Sequence, residues 1–415
     1  MSNSLNGTLG SLVKAGGGII HTGPFGSQLH ASDYVPQGVP CIMPANMKNS
    51  RVDLSNIAYI TEGDAQRLSK YIVKENDIVY SRRGDVTQKA LIRKKEEGFF
   101  CGTGCLLLRP GKKFDARFLT YYLSIPKIQN WIVSQAVGAT MPNLNTGILS
   151  SIPFHGPEKP EQERVANVLS VIEEKIELNN RINAELEAMA KTLYDYWFVQ
   201  FDFPDANGNP YKSSGGKMVY NPTLKREIPE GWSDKTLSQI ANITMGQSPE
   251  GSSYNDEGIG TIFYQGSTDF GWLFPTTRQY TTAPSRMAKK GDILLSVRAP
   301  VGDMNIANTD CCIGRGLAAL NSKTGSDGFL FYVMNYFKQI FDRRNSEGTT
   351  FGSITKNDLY SLTLAYPTPD LLKRYDGLVT NYNKMIFERS LENRELTNLR
   401  DWLLPMLMNG QVAVR

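Results

Sequence analysis

The sequence predicts an α+β protein: two similar α/β domains separated by two long helices that pair as an antiparallel coiled coil, with an internal pseudo-two-fold repeat. Three observations predict this. Segments recur in the same order at a nearly constant offset. Each copy begins with short apolar, β-branched or aromatic runs broken by Gly, Pro and Asn, the pattern of strands and tight turns. Each copy ends in a long stretch of heptad-spaced apolar residues.

The repeat fixes the order of elements. GATMPNLNTGILSSIPFHGP (138–157) lies opposite GTTFGSITKNDLYSLTLAYP (348–367), an offset of 210 that continues into the helices and matches Asn183 with Asn393 and Leu186 with Leu396. Upstream, NDIVYSRRG (76–84) lies opposite GDILLSVRA (291–299) at an offset of 215, pairing Ser81 with Ser296 and Arg83 with Arg298. A drift of this size is what loop insertions and deletions leave between duplicated domains. The divisions that follow are a module at 1–157, a helix at 158–200, a connector at 201–230, a second module at 231–367 and a second helix at 368–415.

Within the modules, IAYIT, DIVYS, CLLLR, TIFYQ and DILLSV read as strands. RFLTYYLSIPKIQNWIV and GFLFYVMNYFKQIFDRR have helical length late in each module. In the helices, Val165, Ile172, Asn179, Leu186 and Leu193 take position a, with Val168, Lys175, Ile182, Met189 and Tyr196 at d. The second helix places Tyr375, Tyr382, Arg389, Leu396 and Leu403 at a, with Leu378, Met385, Glu392, Leu399 and Met406 at d. Polar residues in mid-seam commonly set register at some cost in stability. Between the helices, YDYWFVQFDF and a Gly- and Ser-bearing segment lead to Trp232 and form the seam between the two copies.

Charge and motifs narrow the function. Residues 1–157 carry 17 basic and 10 acidic side chains, whereas residues 231–369 carry 12 of each. A basic module suggests a polyanionic partner. Five cysteines and three histidines lack disulfide or metal-ligand spacing and are expected as buried thiols and ordinary histidines. No apolar run reaches the ~20 residues of a membrane span, and the N-terminus lacks signal-peptide character, so a cytoplasmic location is expected. No G-x-x-x-x-G-K-[ST], N-P-P-[FY] or G-x-S-x-G is present. FCGTG (100–104) lacks the helix that a cofactor loop would need, and Glu173-Glu174-Lys175 falls on the heptad helix without a Pro-Asp partner. These absences point to a binder with no catalytic, cofactor or metal residues.

The connector PDANGNPYKSSGGKMVYNPTLKREIPEGW, preceded by LYDYWFVQFDF, resembles the central conserved region of specificity subunits of type I restriction–modification systems. The module–helix–module–helix order is also that family's. The resemblance implies two target-recognition domains, each reading half of a bipartite double-stranded DNA site, with the helices setting the gap. It also implies two modification (methyltransferase) subunits docked on the helices and restriction (translocase–nuclease) subunits joining them. S-adenosylmethionine, ATP and Mg would then belong to those partners. A carbohydrate- or protein-binding module on a coiled-coil stalk is the alternative, for which the aromatics of YQGSTDFGWLF are suited.

Candidate DNA contacts follow from side-chain chemistry. Ser81, Arg82 and Arg83 end a predicted strand, with Gln88 and Lys89 beyond the turn, and Ser296 and Arg298 are their counterparts. Arginine and glutamine match guanine and adenine edges in the major groove. The turns at 23–28 and 245–253 add Ser27, Gln28, Gln247 and Ser248, and the turns after the module helices add Thr140, Thr349 and Thr350. The run Arg93-Lys94-Lys95 precedes two glutamates and is expected at a solvated hairpin end.

Overall fold

A computed structural model describes residues 4–136, 142–346, 353–412 and 414. The chain divides into two compact units, one formed by 1–179 together with 391–415, the other by 180–390.

In the first unit a four-stranded antiparallel sheet has the order Ile19–Thr22, Cys105–Arg109, Ile78–Ser81, Lys89–Leu91. A second sheet has the order Phe100–Cys101, Val39–Ile42, Ala58–Ile60, Tyr34–Val35, its first pair parallel. Ser4–Thr8 pairs with Pro153–Pro157. The second unit repeats this plan. Its four-stranded sheet runs Ala241–Met245, Leu317–Ser322, Ile293–Ser296, Met304–Ile306. A five-stranded sheet again contains one parallel pair, Phe263 opposite Cys312, and Ser233–Thr236 pairs with Thr363–Tyr366.

The apolar runs are strands buried on both faces, and each separates two cores. Ile78 and Tyr80 face a cluster with Phe118, Leu149 and Phe154, while Val79 faces Ile42, Phe100 and Leu107. In the second unit Ile293 and Leu295 join Phe329 and Leu359, while Leu294 joins Tyr264 and Ile313. All five cysteines are buried and free. Burial pushes the Cys41 and Cys311 thiols up to about 12. Asp77, 1% exposed, is held by Arg109 through two bonds of 2.7 and 2.6 Å and by the Lys74 amide. Its counterpart Asp292 is held by Asn321 and the Lys289 amide.

The long helices are Lys159–Tyr194 and Pro369–Met408. They pair antiparallel within each unit. In the first, Lys175 meets Glu392 at 3.4 Å and Asn179 donates to Glu392 and Asn393 at 2.7 and 2.9 Å. In the second, Asn183 reaches Ser390 at 3.4 Å and the Tyr375 hydroxyl donates to the Ala190 carbonyl at 3.4 Å.

The heptad period holds, but its frame differs from the expected one. Val165, Ile172, Asn179 and Leu186 are buried, as is Tyr375, and Leu193, Tyr382, Arg389, Leu396 and Leu403 are half-buried. Their seam partners lie four residues on, at Leu169, Ile176, Asn183, Ala190, Val379, Ile386 and Asn393. The residues three positions on lie beside the seam. Val168 and Ile182 are half-buried, and Met189, Leu378, Met385 and Leu399 are 53, 43, 37 and 42% exposed. Asn183, Asn393 and Ala190 occupy the true stripe, and the apolar side chains beside it imitate the missing one.

At its C-terminal end the first helix widens into a π turn at Asp195–Val199. Tyr194, Trp197, Phe198 and Phe201 pack there with Trp232, Phe329 and Tyr375. The connector forms a hairpin, Met218–Asn221 with Arg226–Pro229, and Arg226 lies over the Phe201 ring at 4.9 Å. The chain turns into it at Gly215, φ +87°, followed by Gly216, where a Cβ would meet Tyr211 at 2.5 Å. In the first unit, Leu403, Leu404, Leu407 and Met408 of the second helix pack into the cluster around Phe118.

Candidate nucleic-acid interface

The offset of 215 found in the sequence reappears as one hydrogen-bonded turn built twice. After Ile78–Ser81, the Ser81 hydroxyl donates to the Arg83 carbonyl at 2.9 Å, and Arg83 forms a β-bridge with Asn143. After Ile293–Ser296, the Ser296 hydroxyl donates to the Arg298 carbonyl at 2.8 Å, and Arg298 bridges Ser353. The Ser81 amide donates to the Gln88 carbonyl, and the Ser296 amide to the Asp303 carbonyl. Both serines are 1% exposed. Their expected place at the surface is therefore corrected: each hydroxyl is used up inside the fold, locking the arginine backbone that follows.

Arg83 and Arg298 are exposed, and neither guanidinium has a partner among the described residues. A rigid backbone carrying a free, planar, five-donor cation suits recognition of phosphate or a base edge. Arg82 is half-buried, with its guanidinium 5.6 Å from the ring centre of exposed Phe25 and its Nε buried without a hydrogen-bond partner among the described residues. Gln88 is half-buried, its side-chain amide donating to Asp85 at 2.9 Å.

The flanking turns also correspond. Gly23 donates to the Cys105 carbonyl and Gly246 to that of Leu317, and a Cβ at either glycine would come within 2.3 or 2.2 Å of a carbonyl oxygen. Only glycine allows so close an approach of two backbones. Ser27 and Gln247 are exposed. Gln28 is committed to the fold, its side-chain oxygen accepting from the Phe25 amide and the Tyr71 hydroxyl. Ser248 is bonded to Gln265 at 2.9 Å. Thr140, Thr349 and Thr350 lie outside the described residues.

Lys89 differs most from expectation. It is 3% exposed, its amine lies 5.9 Å from the Tyr80 ring centre, and burial lowers its pKa to about 8. It lines a cleft of about 360 Å³ with Lys48, Asn49, Ser50, Thr87, Gln88 and Gln129. A cleft of about 360 Å³ in the second unit is lined by Trp272, Asp303, Met304, Asn305, Asn335 and Lys338. There Lys338 pairs with Asp303 at 2.8 Å, and Asn305 clasps the Gly271 backbone through two bonds of 3.0 Å. The clefts escaped sequence reasoning because their walls come from separate loops. The exposed Trp272 was the one legible signal. Arg93 departs from a solvated hairpin end: it pairs with Glu177 of the long helix at 3.2 Å, where Arg51 also reaches at 3.5 Å.

A family model for the type I restriction modification DNA specificity domain matches residues 27–188 and 229–371. The chain belongs to that family. Each match takes in most of one specificity module and runs into the helix that follows. The putative type I restriction enzyme MjaX specificity subunit of Methanocaldococcus jannaschii is 30% identical over 389 residues, covering 91% of this chain and 88% of that protein. The type I restriction enzyme HindI specificity subunit of Haemophilus influenzae is 21% identical over 434 residues, covering 88% of this chain and 92% of its own. In fold, the specificity chain resembles the type I restriction-modification S subunit from M. genitalium, with a TM-score of 0.62, 20% identity and coverage of 98% and 96%. Among the described residues, no helix of this type I specificity subunit is long and apolar enough to cross a membrane.

Proposed function

We propose that each unit reads one half of a bipartite duplex DNA site, that the paired helices set the gap, and that the chain itself performs no catalysis. The observation carrying this reading is the turn built twice, with a locked backbone presenting at Arg83 and again at Arg298 a guanidinium that has no partner among the described residues. Two modification subunits would dock on the helices, with restriction subunits joining. The exposed apolar side chains Met189, Leu378, Met385, Leu399 and Trp402 favour docking there. S-adenosylmethionine, ATP and Mg would enter with those partners.

The test is a set of labelled duplexes bearing one correct half-site at a time, bound by the complex co-expressed with a modification subunit. Arg83→Ala and Arg298→Ala should each weaken one half-site only, by ~1–3 kcal/mol for a bidentate base contact. Equal losses on random DNA would reduce both arginines to phosphate contacts. Failure of either half-site to affect binding would remove the reading.

A further inference from the structure

We infer that the cleft containing Lys89 is a seat for one DNA backbone phosphate, present in the first unit and absent from its counterpart in the second. This rests on the reading of the first unit as a DNA reader. It adds a residue that positions the duplex without reading it.

Lys89 sits on Lys89–Leu91, directly opposite Tyr80, and is 3% exposed. Among the described residues its ammonium has no hydrogen-bond or ion-pair partner, and Asp85 acts on it only through space. Buried cations are ordinarily paired. With a pKa of about 8 the group is still mostly protonated at neutral pH, so its missing partner is an anion or acceptor from outside. The cleft lets one in: beside Lys89 it is lined by Met47 and by polar residues, Asn49, Ser50, Thr87, Gln88 and Gln129 among them, with Lys48 paired to Asp53 at its edge.

Shape then selects the ligand. Base edges lie on the floor of a groove and are reached by side chains that protrude. Phosphates stand out from the duplex and can enter a concavity. The exposed Arg83 has the first geometry and the recessed Lys89 the second. Phosphate contacts fix the protein on the duplex and carry no sequence information. In the second unit the matching position is Met304, paired with Leu295 as Lys89 is with Tyr80, and Lys338 there is paired with Asp303. The asymmetry agrees with the basic excess of the first module and the even charge of the second.

The experiment uses the full chain in complex with its modification subunit. Duplexes carrying a single methylphosphonate at each backbone position are bound by wild type and by Lys89→Met. Wild type should show one position in the first half-site where neutralisation weakens binding, and Lys89→Met should be insensitive at that position. Lys89→Met should also bind specific and random duplexes more weakly by a similar factor, on the order of tenfold, and its log–log salt slope should be shallower by about 0.9. An unchanged salt slope with an unchanged methylphosphonate profile would make Lys89 a core cation and overturn the proposal. Altered base preference at an unchanged slope would overturn it in favour of base readout. Half-site dependence of the wild type is read from the same titrations. Its loss would therefore mark failure of the DNA-reading function, separately from failure of the phosphate seat.

Discussion

Replacing Lys89 by methionine should stabilise the protein while weakening its grip on DNA. Burial lowers the lysine pKa from 10.5 to about 8. At 1.36 kcal/mol per unit, holding the charged form in the fold at neutral pH costs roughly 3 kcal/mol. The sign follows from where protons sit. Below pH 8 the amine is charged in both states and the full cost applies. Between pH 8 and 10.5 the unfolded chain binds more protons than the folded one, so stability rises with pH. Methionine keeps an apolar stem of similar length without the charge. Lys89→Met should therefore gain up to about 3 kcal/mol at pH 7 and abolish the rise between pH 8 and 10.5. Urea unfolding at pH 7 and 10, followed by hydrogen exchange in peptides covering Ile78–Ser81, confines the readout to the first unit. A variant no more stable than wild type at pH 7, or a wild type whose stability is flat above pH 8, would falsify the reasoning.

Other perturbations test the scaffold. Arg109→Ala strips the 1%-exposed Asp77 of its guanidinium and should cost about 3–5 kcal/mol, read as a lower urea midpoint of the first unit. Asn179→Ala removes both cross-helix bonds and should cost about 1–3 kcal/mol; a change within 0.3 kcal/mol would mean that neighbouring seam contacts suffice. Deleting one heptad from each long helix should shorten the preferred gap between half-sites by about 10 Å of duplex axis. A selection from randomised-gap duplexes that returns the wild-type gap would remove the spacer role.

Much of this was legible because duplication tests itself. The offset of 215 joining Ser81 to Ser296 corresponds to the same serine-to-carbonyl bond in both units. The offset of 210 joins Asn143 to Ser353, the residues that bridge Arg83 and Arg298. Runs such as DIVYS and DILLSV announced strands, but not that their alternate faces enter different cores, which depends on what the other chain segments place there. The helical frame differs for a physical reason: a period of seven is compatible with partners three or four residues on. Asn183 and Ala190 disguise the second choice, while Met189 and Leu378 advertise the first. Ser81, Ser296 and Lys89 are buried where the sequence predicts exposure, since polar residues beside a turn usually face water. Spacing does not distinguish a side chain that caps its own turn, or lies beneath a hairpin, from one that points outward.

The composition of the first unit has a consequence for biosynthesis. Its core is closed by Leu403, Leu404, Leu407 and Met408, near the end of the chain, whereas the second unit is the continuous segment 180–390. On the ribosome residues 1–179 must wait for residues 391–408, and the segment 180–390 is the first to have all its parts. A premature stop shortly after Ser390 would spare the second unit and leave the first with an open apolar face, exposed to proteases and to aggregation. The final turns of the second helix thus serve as a late seal on the N-terminal half of the protein.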